Sequence, residues 1–417
     1  MIMRTIDSDF LHRALQHYYG YAAFRPGQEE IITHILQGEP VLAVLPTGAG
    51  KSICFQLPSL LLKGVTLVVS PLISLMKDQA EALSARGIPA AYLDSSMTSS
   101  EYGRVLHAAL NKQCKFLYVA PERLLNPTFV RFAKAAYITM VAVDEAHCVS
   151  QWGHSFRKDY YNIPQFMAQL SPRPLIAAFT ATATPEVRRD ICHRLEMLSA
   201  KIVVSGFDRP NLHFAVERTQ DKDRSLLEFL AKHKHQCGVI YCATRQRVEQ
   251  VNTLLARQGY SALRYHAGLT PEERRDNQNL FVSGSVPIIV ATNALGMGID
   301  KADVRFVVHY NMPKDMESYY QEAGRAGRDG LPSECLLLYN KQDIAVNTYL
   351  IGHDQPDLAW KEHEMQLLDK MIHYCNTSGC LRKELLQYFG EEAPLRCHNC
   401  GNCQANGRAS WRKYFGI

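Results

Sequence analysis

Short apolar runs alternate with longer amphipathic runs over residues 1–339, and this pattern restricts the possible folds more than any other feature of the chain. The short runs are rich in β-branched or aromatic residues and are bounded by turn residues, which is typical of buried parallel strands. In chain order they cover residues 41–45, 65–70, 116–119, 140–143, 175–179, 202–204, 238–241, 261–265, 288–291, 304–309 and 334–339. Strands that alternate with helices predict an α/β fold built on parallel sheets.

The 417 residues are too many for one hydrophobic core of ordinary size. Residues 1–205 and 206–339 are predicted to form two similar α/β domains with a ligand-binding cleft between them. Residues 340–408 are predicted to be helical, over 358–374 and 381–389, and to end in a cysteine-rich loop. Residues 409–417 form a short basic and aromatic tail, for which we favour a fraying end over a nucleic-acid contact.

The composition is that of an ordinary globular protein, with 47% hydrophobic and 21% charged residues. It argues against disordered, collagen-like and coiled-coil classes. The net charge of +5 permits nucleic acid as a partner but does not argue for it. No apolar run reaches the ~18–20 residues of a membrane span, and the N-terminus lacks a signal-peptide core. We therefore expect a cytoplasmic protein with no membrane partner.

A glycine-rich loop between strand 41–45 and a predicted helix is a candidate phosphate site. The loop consists of Pro46, Thr47, Gly48, Ala49, Gly50, Lys51 and Ser52. Glycines let backbone N–H groups surround phosphate oxygens, and the helix N-terminus adds positive potential. Lys51 is expected to reach the β- and γ-phosphates of a nucleotide and Ser52 to bind Mg²⁺. Leu45 stands where the strict P-loop pattern has glycine, so the pattern alone also fits an ordinary glycine-rich turn.

The apolar run 140–143 leads directly into Asp144, Glu145, Ala146 and His147. Adjacent carboxylates at a strand end are typical of a Walker-B site. We expect Asp144 to hold Mg²⁺, Glu145 to orient or deprotonate an attacking water, and His147 to belong to the same catalytic group. A helix cap with solvated charges is the alternative, which the preceding P-loop disfavours.

A further candidate catalytic segment lies in the other α/β half. It begins at Gln321 and contains Arg325 and Arg328. Two arginines three residues apart are predicted to share one helix face. A guanidinium supplied from this half could act as an arginine finger that stabilises charge on the transferred phosphoryl group. The alternative is a surface arginine pair.

Four cysteines near the end of the chain have the spacing of metal ligands. Cys397, Cys400 and Cys403 are separated by two residues each, and Cys380 precedes them by 16 intervening residues. Four thiolates form the closed tetrahedral site of structural Zn²⁺. A redox disulfide is the alternative, but three cysteines within seven residues fit a metal better. We expect zinc to support folding of residues 340–408.

As an ordered set, these motifs resemble the RecQ-type DNA helicases of superfamily 2, from about residue 8 to Cys403. The resemblance implies two tandem RecA-like domains followed by a small helical zinc-binding subdomain, with ATP, Mg²⁺ and Zn²⁺ as cofactors. It assigns the same four cysteines to zinc, so Cys375 is expected to pack in its helix and His398 to face solvent. Further segments that match family motifs are 70–79, 120–123, 179–183, 241–245, 265–268 and 291–300.

The resemblance also assigns nucleotide contacts. Within residues 20–28, Gln28 is implied to hydrogen-bond the adenine edge while Tyr21 and Arg25 enclose the ring. Amide groups offer both donor and acceptor, and Tyr and Arg stack on π faces, so the chemistry agrees. Gln321 is implied to bind the nucleotide, and Asp300 to reach its ribose.

Residues 148–157 resemble the aromatic-rich loop of the family and follow directly on the carboxylates. Trp152 and Phe156 are implied to stack on bases, while Arg157 pairs with phosphate or with the nearby carboxylates. Thr292 is implied to contact a phosphate of the tracked strand. Trp152 as a buried packing residue is the alternative, and Lys158 replaces the proline usual in the family at this point.

The resemblance implies an ATP- and Mg²⁺-dependent DNA helicase that moves 3′ to 5′ on single strands and unwinds duplexes in replication, recombination or repair. Single-stranded and tailed duplex DNA would be its partners, with single-strand-binding or repair proteins as further candidates. We expect a monomer, associated with the nucleoid if the source is bacterial. Fourteen residues follow Cys403, where family members usually continue into a winged helix. A DNA-stimulated ATPase that unwinds poorly alone is therefore one alternative; an RNA-directed DExH helicase is another, and a purely structural zinc protein a weaker third.

Overall fold

The computed structural model describes residues 7–94, 97–152, 156–296, 301–354 and 358–405. The chain divides into two compact units, Met1–Gly206 and Phe207–Ile417. Within the described ranges, no helix is both long and apolar enough to cross a membrane.

In its described part, the first unit contains a seven-stranded sheet in which all strand pairs are parallel. The strands are β1 (Val41–Val44), β2 (Val65–Val69), β3 (Ala90–Leu93), β4 (Phe116–Val119), β5 (Ile138–Val143), β6 (Leu175–Thr180) and β7 (Lys201–Val204). Their spatial order is β3-β4-β2-β5-β6-β1-β7. The loops that leave β2, β5, β6 and β1 therefore share the carboxyl edge of four neighbouring central strands, where ligands bind in open α/β sheets.

Four of the eight described helices of the first unit begin at a side-chain cap. The eight helices are α1 (Ser8–Tyr19), α2 (Gln28–Leu36), α3 (Lys51–Leu61), α4 (Ile73–Ser84), α5 (Ser99–Leu110), α6 (Pro127–Ala135), α7 (Asn162–Met167) and α8 (Pro185–Arg194). Thr98 and Glu101 form a reciprocal capping box at the start of α5. Thr184 caps α8 by accepting the Val187 N–H, and Pro185 occupies the first helical position.

The second unit contains a six-stranded parallel sheet, counted over its described residues, in the order β10-β11-β9-β12-β13-β8. The strands are β8 (Leu212–Arg218), β9 (Gly238–Tyr241), β10 (Ala262–Tyr265), β11 (Ile288–Ala291), β12 (Phe306–His309) and β13 (Ser333–Tyr339). The helices are α9 (Lys222–Lys232), α10 (Arg245–Arg257), α11 (Pro271–Val282), α12 (Met316–Ala323), α13 (Gln342–Asp354), α14 (Leu358–Asn376) and α15 (Leu381–Tyr388).

The predicted fold class is confirmed: two parallel-sheet α/β regions are followed by a helical region with a cysteine cluster. Two strands were not predicted, β3 and β8. Both are edge strands of their sheets and mix buried residues with partly exposed ones. Neither has the run of buried β-branched residues that marks a central parallel strand in the sequence.

Candidate functional site

The glycine-rich loop follows β1 and ends at the first residue of α3, as a phosphate-binding loop requires. Gly48 and Gly50 both have left-handed backbone conformations, with φ of 84° and 80°. A side chain at Gly50 would also place its Cβ 2.6 Å from Nε2 of Gln28. Glycine is therefore required here by both conformation and space. Lys51 and Ser52 open α3 with half-buried side chains.

Gln28 is buried against this loop, with 2% of its side chain exposed. Its Nε2 donates to the carbonyl oxygens of Ala49 and Gly50 at 3.0 and 3.2 Å, and its Oε1 accepts the Arg25 N–H at 2.9 Å. The Arg25 guanidinium donates to the Gly48 carbonyl. Gln28 and Arg25 therefore hold the loop backbone itself, while Tyr21 is 49% exposed. Their contacts with adenine stay predictions.

Asp144 lies directly after β5 at the same carboxyl edge. Its N–H donates to the Val69 carbonyl at 2.8 Å, and its carboxylate accepts the Glu145 N–H at 3.0 Å and the Ser70 hydroxyl at 3.4 Å. Burial raises the pKa of Asp144 above its ordinary value, and the Lys51 ammonium opposes that change. The Asp144 carboxylate and the Ser52 hydroxyl offer oxygen ligands that suit Mg²⁺, and the Lys51 ammonium suits a nucleotide phosphate.

Glu145 follows Asp144 directly and lies close to His147, which contacts the end of β6. It is 6% exposed and has a left-handed φ of 46°, which is strained for a residue with a side chain. His147 Nδ1 lies 3.4 Å from a Glu145 carboxylate oxygen and 2.9 Å from the Thr180 hydroxyl. The Thr180 hydroxyl also lies 3.2 Å from the Thr182 carbonyl oxygen.

The aromatic-rich loop continues from the short 3₁₀ helix Ala146–Val149. Trp152 is 37% exposed, and its backbone N–H donates to the Ser150 hydroxyl at 3.2 Å. Ser150 in turn donates to the Asp190 carboxylate at 2.6 Å. The first half of the loop is therefore attached to α8. Residues 153–155 lie outside the described residues.

The second half of the loop reaches the same helix through Tyr161. Phe156 packs against Tyr161 with ring centroids 5.4 Å apart, and the Arg194 guanidinium lies 5.1 Å from the Tyr161 ring centroid. Arg194 and Asp190 are one helical turn apart on α8 and form an ion pair at 3.2 Å. The Arg157 guanidinium donates to the Pro71 carbonyl at 2.8 Å. The loop thus connects α8 with the segment that follows β2.

Arg325 and Arg328 do not lie on a helix face, so that prediction is wrong. Helix α12, which contains Gln321, ends at Ala323, and both arginines follow in a turn. Gly327 has a φ of 56°, and a Cβ there would lie 2.4 Å from the Asn211 amide nitrogen, so the turn requires glycine.

Arg325 is buried, with 3% of its surface exposed, and Arg328 is half-buried. Burial raises the pKa of the Tyr241 phenol to about 12, while the Arg325 guanidinium acts in the opposite direction. Thr292, at the end of β11, is 7% exposed and accepts the Ala294 N–H at 3.3 Å. Asp300 lies outside the described residues.

The four predicted zinc ligands come together in the second unit. The Sγ atoms of Cys380, Cys397, Cys400 and Cys403 all lie within 4.8 Å of one another. Tetrahedral zinc with bonds of ~2.3 Å holds its sulfur atoms slightly less than 4 Å apart, so the cluster fits the ion. Asn402 supports it by donating to the carbonyl oxygens of Thr377 and Gly379 at 3.0 and 2.8 Å.

Three family models match successive parts of the chain. They describe a DEAD/DEAH box helicase over residues 25–191, a helicase conserved C-terminal domain over 221–330 and a RecQ zinc-binding domain over 341–404. The ATP-dependent DNA helicase RecQ of Bacillus subtilis is 46% identical, over 94% of this chain and 67% of that protein. The chain belongs to the RecQ family of ATP-dependent DNA helicases.

Two further comparisons agree with this membership. The RecQ helicase of Pasteurella multocida is 41% identical over 95% of the chain and 62% of its own length. The chain thus spans about two thirds of these RecQ relatives. The crystal structure of the DUF1998 helicase MrfA bound to DNA matches with a TM-score of 0.68 at 18% identity, covering 94% of this chain and 56% of that one. At that identity the match shows the shared fold.

RecQ membership and the site chemistry identify ATP, Mg²⁺ and Zn²⁺ as the cofactors of this chain. Two residues that support the site, Asp190 and Arg194, were not predicted from the sequence. The spacing of Asp190 and Arg194 indicates an ion pair along a helix, but nothing in the sequence shows that this pair holds the aromatic-rich loop.

Replacing Cys400 by alanine is expected to remove zinc and to unfold the region around α15, because structural zinc supplies folding free energy of ~10–16 kcal/mol in small zinc domains. Cys375→Ala is the matched control, since it also removes a buried thiol but lies outside the cluster. Metal content and thermal unfolding of both proteins test this. Stoichiometric zinc in Cys400→Ala, or a melting temperature equal to that of the control, would contradict the assignment.

Proposed function

We propose that this RecQ chain couples ATP hydrolysis to 3′-to-5′ movement along single-stranded DNA and separates duplexes that carry a 3′ tail. The two contacts of His147 Nδ1, 3.4 Å from the Glu145 carboxylate and 2.9 Å from the Thr180 hydroxyl, carry this proposal. Glu145 also stands at the start of the segment that leads to Trp152. A change at the Glu145 carboxylate can therefore displace both the loop proposed to bind the strand and the segment after β6.

We propose the following roles at the nucleotide. Lys51 neutralises the β- and γ-phosphates, and Ser52 with Asp144 holds Mg²⁺, which supplies charge stabilisation at the transferred group when bound. Glu145 orients the attacking water and takes its proton, with His147 holding the carboxylate in place. Residues proposed to contact the rest of the nucleotide are Tyr21, Arg25, Gln28, Thr47, Gly48, Gly50, Gln321 and Asp300.

Arg325 and Arg328 are proposed to stabilise charge on the γ-phosphoryl group during its transfer. A guanidinium suits this role because its planar fork matches the geometry of phosphate oxygens. The role requires both arginines to be held in a defined orientation, which a turn of fixed backbone conformation can provide.

The strand contacts are proposed to lie on both units. Trp152 and Phe156 stack on bases, while Arg157 and Thr292 contact backbone phosphates. The exposure of Trp152 supports this role, because a tryptophan that served only to pack the core would be buried. Single-strand-binding or repair proteins are proposed as further partners of a cytoplasmic monomer, which would be associated with the nucleoid if the source is bacterial.

Trp152→Ala is expected to reduce DNA-stimulated ATP hydrolysis by about tenfold or more at subsaturating DNA, because each lost base stack costs ~1–3 kcal/mol. The measurement is steady-state hydrolysis titrated with single-stranded DNA or with RNA of the same sequence. Tyr349→Ala, which removes an exposed aromatic ring from α13, is the control. Unchanged stimulation in Trp152→Ala would contradict the role of the loop, and stronger stimulation by RNA than by DNA would favour an RNA-directed helicase.

A further inference from the structure

The turn that contains Arg325 and Arg328 is held by a third arginine far away in the sequence. The Arg209 guanidinium donates to three carbonyl groups of this turn. Its nitrogen atoms lie 3.3 Å from the Gly324 oxygen, 3.0 Å from the Ala326 oxygen and 2.8 Å from the Gly327 oxygen. These carbonyl groups flank Arg325 on both sides, so Arg209 fixes the backbone from which that side chain extends.

Asn211 and the backbone of Val304 also hold the turn that contains Arg325 and Arg328. The Asn211 amide nitrogen donates to the Gly327 and Leu331 carbonyl oxygens at 2.9 and 3.0 Å. The Gly327 N–H donates to the Val304 carbonyl at 2.8 Å. The positive φ of Gly327 is therefore held from two directions, and the turn has little freedom to adopt another conformation.

The zinc-binding region holds Arg209 in turn. Arg382, two residues after the ligand Cys380, is 5% exposed. Its guanidinium donates to the Arg209 carbonyl at 2.8 Å and also contacts the Leu212 carbonyl and the Asp208 carboxylate. The segment 208–212 is thus fixed between the zinc-binding region and the arginine turn.

We infer that Arg209 is a positioning residue for catalysis: by binding three carbonyl groups of the 324–327 turn, it aims Arg325 and Arg328 for phosphoryl transfer. The inference rests on the proposed role of those two arginines. Arg209 touches neither substrate nor nucleotide in this account and acts only through the turn. A displacement of ~1 Å at a catalytic group can cost ~10²-fold in rate, so a loosened turn has a measurable effect.

The test measures kcat and KM for DNA-stimulated ATP hydrolysis in Arg209→Ala, Arg325→Ala and the double variant, each made in the 417-residue chain. Arg209→Ala is expected to lower kcat by ~10–100-fold with KM for ATP within about twofold, because the arginines act in the transition state. The double variant is expected to lose less than the product of the two single losses, since Arg209 then has only Arg328 left to position. Arg224→Ala, which removes an exposed arginine paired with Glu228, is the control and should match the unsubstituted protein.

Arg209→Lys distinguishes positioning from general stability, because lysine keeps the charge but cannot bind three carbonyl groups with one planar fork. We expect it to lose kcat nearly as Arg209→Ala does while keeping its zinc content and melting temperature close to those of the unsubstituted protein. If Arg209→Ala does not fold, Asn211→Ala takes its place and should lower kcat less, in the same direction.

Two results would overturn the inference alone: Arg325→Ala inactive while Arg209→Ala keeps full kcat, or losses that multiply in the double variant. Full turnover in Arg325→Ala and Arg328→Ala would instead refute the proposed arginine finger, and this inference with it. The two failures are therefore distinguishable in one set of measurements.

Discussion

Lys51→Ala is expected to lower ATP turnover by ~10³-fold or more while single-stranded DNA still binds. Lys51 opens α3 directly after the glycine-rich loop, and its ammonium acts on the buried carboxylate of Asp144. Removing Lys51 takes away the ammonium that stabilises the phosphate charge and acts on this carboxylate. Charge stabilisation of this kind is worth several kcal/mol in phosphoryl transfer. Strand binding is unaffected in this account because Trp152 and Phe156 lie on a different loop.

Steady-state hydrolysis and fluorescence anisotropy with a labelled single strand measure the two properties separately. Lys63→Ala is the matched control, since it removes an exposed lysine from the same unit. Turnover of Lys51→Ala within tenfold of the control would refute the assigned phosphate site. Loss of DNA binding together with turnover would show that the lysine supports the unit as a whole.

Arg325→Ala is expected to have an effect of similar size, with kcat lowered by ~10³-fold or more and KM for ATP little changed. The reason is that an arginine finger meets charge that develops only in the transition state. Arg325→Lys should not restore the rate, because an ammonium lacks the guanidinium fork. Arg257→Ala, at an exposed position of α10, is the control.

Thermal unfolding must accompany these rates, because Arg325 is 3% exposed and lies close to Tyr241. An inactive variant with an unchanged melting temperature supports a catalytic role. A variant that loses stability but keeps kcat at low temperature would show that Arg325 supports the fold of the second unit instead.

Central strands were predictable because they are buried on both faces. The runs 116–119, 238–241 and 288–291 coincide with the strands β4, β9 and β11 at both ends. Two edge strands were missed: β3 reads Ala-Ala-Tyr-Leu and is mostly half-buried, while β8 ends in Glu217 and Arg218. β3 has no β-branched residue, and the apolar residues of β8 are interrupted by His213, so neither has the β-branched run that marks the central strands.

Parts of the site followed from local spacing, and parts did not. The four cysteines were predictable because metal ligands require short, fixed separations, and their Sγ atoms do converge. The helix face proposed for Arg325 and Arg328 was wrong because Gly324 and Gly327 follow α12, and glycine permits a turn that spacing alone does not reveal. Arg209 could not be found at all, since it reaches carbonyl groups 115 to 118 residues away.

Unwinding of 3′-tailed and 5′-tailed DNA duplexes, with ATP and Mg²⁺ and with Lys51→Ala as the inactive control, tests the proposed function most directly. The account predicts that the chain opens the 3′-tailed duplex only and that Lys51→Ala opens neither. Opening of the 5′-tailed duplex alone would contradict the proposed direction. Failure to open either duplex, with DNA-stimulated hydrolysis intact, would contradict strand separation by this chain and leave a DNA-dependent ATPase.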